Sequence, residues 1–100
     1  MKGGRRNVRP SGMKYIKTYL QVLAAFDPDG RIVPVMFYWT DGRKYRVDKV
    51  LDVKPAASMK CGGQGDRYTI RVMGQERYIF LEHDPDLTIN RLRWFVEATA

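Results

Sequence analysis

The chain holds one thiol, Cys61, and one imidazole, His83, the two side chains best suited to nucleophilic chemistry. A cysteine works as a nucleophile when nearby cations or a base hold its thiolate. Lys60 and Arg67 flank the thiol in the run Lys60-Cys61-Gly62-Gly63-Gln64-Gly65-Asp66-Arg67, and His83 is the one imidazole that can serve as its base. Nothing else in the chain builds a nucleophile–base set, and lone cysteines commonly act as small buried apolar groups. No catalytic residue is therefore assigned, and a non-enzyme is expected. His83-Asp84 invites a metal reading, but one histidine, one thiol and scattered carboxylates lack the ligand spacing of a zinc or iron centre. No metal and no cofactor are expected.

Two patterns suit binding rather than turnover. Gly62, Gly63 and Gly65 allow successive backbone N–H groups to converge on an anion, with Arg67 beside them; an ordinary inter-strand loop is the favoured account of the glycines, because a strand and not a helix N-terminus follows. In the second pattern, Arg43, Lys44, Arg46 and Lys49 interleave with Tyr38, Trp39 and Tyr45. Cations beside exposed rings hold single-stranded nucleic acid through phosphate contacts and stacking. Strand alternation offers the competing account, with rings facing the core and cations facing water.

The net charge of +7 is unevenly placed. Residues 1–17 carry Lys2, Arg5, Arg6, Arg9, Lys14 and Lys17 and no acid, whereas the remainder is nearly balanced. A leading basic arm strengthens binding to any polyanion by releasing counterions, without reading sequence, or it simply solubilises. Residues 1–12, MKGGRRNVRPSG, are expected to be a disordered arm, and residues 13–100 a single small domain. Nucleic acid is accordingly the expected partner through Arg5, Arg6 and Arg9 together with Arg43, Lys44, Arg46 and Lys49. A protein partner or a homodimer through a strand edge is the alternative. The single cysteine favours a reducing compartment. No apolar stretch approaches a bilayer span and no signal-peptide pattern follows the basic start, so a cytoplasmic chain without membrane contact is expected.

The elements that position these residues read as short strands. Asp41-Gly42 lies between FYWT and RKYRV, a hairpin signal in which glycine takes the positive φ of a tight turn. Asp27-Pro28-Asp29-Gly30 repeats that grammar. Residues 13–26 fit a helix face or an alternating strand, and the turn that follows favours the strand. Pro34 marks an edge or a bulge in the next run. Tyr45 and Val47 alternate with Arg46 and Asp48, and the alternation breaks near Lys49, where a bend is expected. Residues 54–67 read as a loop, Tyr68-Ile70-Val72 as a half-buried strand, Gly74-Gln75 as a turn, residues 78–81 as the returning strand, and residues 83–91 as a polar connection. Tyr68 and Tyr78 are expected to pack across adjacent strands. Trp94-Phe95-Val96 closes the chain as a last strand. The resulting fold class is all-β: a small SH3-like barrel of about five to six antiparallel strands, with an OB-like barrel second.

Trp39-x-Asp41-Gly42-x-x-Tyr45-x-Val47-x-x-Val50-Leu51-Asp52, followed by Arg67-Tyr68-x-Ile70-x-Val72 and the closing Trp94-Phe95-Val96, resembles small bacterial domain-of-unknown-function proteins. The resemblance spans roughly residues 18–97, with residues 84–91 as an insertion. It implies a cytoplasmic SH3-like barrel and attaches no reaction or ligand.

Overall fold

The computed structural model describes residues 15–55, 65–83 and 91–99, and each regular element among them is a β-strand. These are β1 (Tyr15–Phe26), β2 (Ile32–Tyr38), β3 (Lys44–Arg46), β4 (Lys49–Pro55), β5 (Gly65–Val72), β6 (Gln75–His83) and β7 (Leu92–Thr99). They form one antiparallel sheet in the order β3-β2-β1-β7-β6-β5-β4. The all-β expectation holds, and residues 15–26 are strand.

The two edge strands, β3 and β4, are neighbours in the chain. Between them the Val47 N–H still bonds the Val35 carbonyl at 2.9 Å, while the Asp48 N–H bonds the Arg71 carbonyl of β5 at 2.8 Å. One continuous run thus leaves one edge of the sheet for the other and curls it into a half-barrel. Seven strands stand where the sequence reading has five to six, because this crossing splits one run in two. The break in alternation near Lys49 is this crossing, followed by a bulge between Val50 and Asp52.

Turn chemistry follows the glycines. Asp27 to Arg31 and Trp39 to Arg43 close in the same way: the first N–H bonds the last carbonyl, and Gly30 or Gly42 bonds back to the first carbonyl. Gly30 and Gly42 have φ of 82° and 88°, the left-handed position that ends a three-residue hairpin loop. The β5–β6 turn is tighter. Met73 and Gly74 both have positive φ, 51° and 77°, so the turn sits one residue earlier than Gly74-Gln75 and has both central residues left-handed, which matches strand twist.

Pro34 lies at a bulge: Leu23 pairs with Met36 and Ala24 with Pro34, leaving Val35 over. Inside the curl, Phe37, Tyr68, Ile70, Val72, Ile79, Leu81 and Trp94 form the core. Each such side chain contributes about 1.5–3 kcal/mol by leaving water. Tyr68 packs its ring 5.0 Å from Trp94 and donates its hydroxyl to the Ile32 carbonyl at 2.7 Å, bridging the stretch where β2 and β4 have separated. Burial pushes the Tyr68 phenol above its ordinary value, with Asp66 adding to the rise.

Three expectations are corrected by the pairing. Lys54 and Pro55 pair with Arg67 and Asp66, so strands replace both ends of the 54–67 loop. His83 belongs to β6, opposite Leu92. Tyr68 and Tyr78 do not pack together: Tyr68 opposes Ile79 and Tyr78 opposes Thr69, and a one-residue offset places the two rings on opposite faces.

Gly65 sits in β5 opposite Glu82, where an added Cβ would stand 3.0 Å from the Leu81 carbonyl carbon and closer still to its oxygen. Gly65→Ala is therefore expected to destabilise the fold by about 1–3 kcal/mol. Thermal denaturation reads this as a melting point lower by roughly 5–20 °C; an unchanged melting point would contradict the close approach.

Candidate nucleic-acid interface

Lys44 and Arg46 face outward from β3, on either side of the inward Tyr45. Tyr45 stacks on Phe37 with centroids 5.5 Å apart, so it is a core ring, as strand alternation proposes. Tyr38 lies half-buried opposite Lys44. Trp39 stands at the strand end, 36% exposed, where the hairpin loop lifts it to the rim.

Beyond the crossing, Lys49 is exposed and lies directly opposite Arg71 of β5. Arg71 was not singled out in the sequence, although its place between Ile70 and Val72 marks it as outward-facing. Like charges directly opposite one another destabilise a sheet unless something screens them. Among the described residues Lys44, Arg46, Lys49 and Arg71 have no carboxylate within ion-pair reach, whereas Arg43 pairs with Asp41 at 3.5 Å, Lys54 with Asp52 at 3.6 Å and Arg31 with Asp29 at 2.7 Å. Asp48, the nearest acid along this run, accepts the Met73 N–H at 3.1 Å. The result is an outward stripe of four uncompensated cations following the strand that switches edges.

The glycine-rich loop is described only at its end: Gly65 and Arg67 lie in β5, and Gly62 and Gly63 fall outside the described residues. Gly65 answers a packing need. Arg67 lays its guanidinium over the Tyr78 ring at 4.6 Å, with its Nε buried and without a hydrogen-bond partner. Arg5, Arg6, Arg9 and Cys61 also lie outside the described residues. His83 sits 3.6 Å from Asp66 on the surface. Among the described residues no group of three or more His, Cys, Asp or Glu side chains can hold a metal, and no helix is long and apolar enough to cross a membrane.

A different charged cluster covers the outer face of β1, β7 and β6. Phe80 and Phe95 are cross-strand partners, stacked 5.0 Å apart at 9°. Phe95 is fully buried there, with Tyr19 edge-on at 5.8 Å and the Lys17 ammonium over its ring at 5.1 Å. Glu82 ties the cluster together, accepting Lys17 at 2.5 Å, the Tyr19 hydroxyl at 2.7 Å and Arg93 at 3.1 Å. This outer network is compensated and stabilises the sheet, unlike the stripe on β3, β4 and β5.

No protein-family model, curated protein or solved structure matches the chain. The functional reading therefore rests on the arrangement of its own residues.

Burial alone would raise the Glu82 carboxyl, but the hydrogen bonds from Lys17 and Tyr19 and the charges of Lys17 and Arg93 outweigh it and hold the carboxyl below its usual 4.5. A carboxylate lowered in the folded state stabilises the fold above its unfolded value, and the contribution is lost as pH falls through the folded one. Wild type is thus expected to melt above Glu82→Gln at neutral pH, and the two melting curves to converge as acid takes the solution below pH 4.5. A gap that stays constant into strong acid would contradict the network.

Proposed function

We propose that this protein is a non-enzymatic binding module for nucleic acid, a small SH3-like barrel acting in the cytoplasm and akin to uncharacterised bacterial domains of that shape. The observation that carries the reading is the stripe Lys44–Arg46–Lys49–Arg71, which is outward-facing and without ion-pair partners among the described residues while neighbouring cations are paired. Leaving a like-charged pair such as Lys49 and Arg71 uncompensated costs stability, and a polyanion removes that cost. Residues 1–14 add five further cations and no acid. Exposed Trp39 at the end of the stripe adds a ring face for an unstacked base.

This arrangement suits sequence-tolerant binding. Cations spaced along a curled strand track a phosphate backbone, and phosphate contacts position a strand without reading its sequence.

The reading is tested by fluorescence anisotropy of a labelled single-stranded oligonucleotide over a salt series. Affinity is expected to fall steeply with salt, and replacing Lys44, Arg46, Lys49 and Arg71 together by glutamine to flatten the log–log slope by roughly 3, at about 0.7 per lost phosphate contact. Deleting residues 1–12 is expected to weaken binding several-fold. Absence of binding at low salt, or a slope untouched by the four substitutions, would overturn the proposal.

A further inference from the structure

β6 and β7 are hydrogen-bonded only from Phe80↔Phe95 to His83↔Leu92. Past that point they fork. Gln75 to Ile79 pair with β5 alone, and Val96 to Thr99 pair with β1 alone. The fork opens a cleft of about 540 Å³ that runs from the surface to the core, within the size range of small-molecule sites. Its inner wall is apolar, formed by Ile70, Val72, Ile79 and Val96 with the stacked pair Phe37–Tyr45. Its mouth is polar and aromatic, with Trp39, Gln75, Arg77 and Glu97 among the lining residues. Gln75 accepts a hydrogen bond from the Arg77 guanidinium, and its amide carries two N–H donors besides.

Antiparallel order places the mouth at a particular end of the sheet. The start of β1 at Tyr15, the Trp39–Arg43 hairpin, the Met73–Gly74 turn and the end of β7 all lie there, and Tyr15, Trp39 and Met73 line the cleft itself. Residues 1–14 precede Tyr15 with five Lys or Arg and no acid. On the other side, Lys44 and Arg71 adjoin the lining residues Tyr45, Ile70 and Val72. A strand drawn to Lys44 and Arg71 passes a slot with ring faces, apolar walls and a hydrogen-bonding rim.

We propose that the β6–β7 cleft receives one unstacked nucleobase of a single strand, with Trp39 as the stacking face and Gln75 meeting the edge of the base. The proposal rests on the polyanion reading above and adds to it a base-binding slot. Neutral apolar walls accommodate any flat heteroaromatic ring, while the Gln75 amide supplies donors for the carbonyl oxygens of a base.

Trp39 reports on its own occupancy, because the other tryptophan, Trp94, is buried in the core. The full chain is titrated with a short oligothymidylate and with an abasic strand of the same length, following both tryptophan emission and anisotropy. The expected result is strong quenching by oligothymidylate that is absent in Trp39→Phe, about tenfold weaker binding of the abasic strand, and loss of most of that difference in Gln75→Ala, a rim substitution that leaves the core intact. Quenching by free thymidine monophosphate with the same Gln75 dependence also supports the slot, and it separates a nucleotide site from strand binding. Equal, salt-dependent binding of both strands without quenching overturns the slot while leaving the stripe reading in place. Failure of both strands and of the mononucleotide to bind removes both readings. Quenching by an extended valine-rich peptide in place of nucleic acid assigns the fork to strand addition by a protein and overturns the proposal.

Discussion

Two backbone hydrogen bonds, from Val47 N–H to the Val35 carbonyl and from Asp48 N–H to the Arg71 carbonyl, set the shape on which everything else depends. Adjacent residues of one run are bonded to strands near opposite ends of the sheet. A flat arrangement of the seven strands cannot satisfy both bonds, because β2 and β5 are separated in the sheet order by β1, β7 and β6. The sheet must curl, and in curling it hides one face as the core. Uncovered strand edges invite pairing with other chains; this run draws the edges together, and the Tyr68 hydroxyl on Ile32 closes part of what is left.

The curl also sorts the side chains. Tyr45 goes in to stack on Phe37, while Lys44 and Arg46 on either side of it go out, and Lys49 emerges beside Arg71 once the run has reached β5. On the far side of the molecule the outward face is organised differently: Glu82 gathers Lys17, Tyr19 and Arg93 over the Phe80–Phe95 stack. One charged surface is thus internally neutralised and the other is not. Within the curled sheet β6 is paired with β7 over only part of its length, because Val96 to Thr99 pair with β1 alone and Gln75 to Ile79 with β5 alone. The cleft lies where the two strands part.

Much of this was legible in local residue order. Gly30 and Gly42 announce their turns because few other residues accept a positive φ there, and Pro34 announces its bulge because it has no N–H to donate. The alternation around Tyr68, Ile70 and Val72 gives both a strand and its inner face. The rest depends on partners distant in sequence. A broken alternation near Lys49 shows that something happens, but not that the run changes edges, because the carbonyls of Val35 and Arg71 leave no mark on residues 47 and 48. Tyr68 and Tyr78 are on adjacent strands as expected, yet a register offset of one residue separates them. Trp39 shares its parity with the buried Phe37, and only the hairpin geometry lifts it to the rim. The cleft has no local signature, since Ile79 and Val96 read as core residues whether their strands meet or part.

The curl is tested most directly by amide hydrogen exchange in solution. Buried ladder amides exchange through global opening, whereas turn amides exchange through local fluctuations. The Val47 and Asp48 amides are expected to exchange with the slow ladder amides of β5 and β6, because each is held by a bond to a different side of the sheet. If both instead exchange as fast as exposed turn amides such as Gly74, the run does not join the two edges, and the sheet is not curled as described.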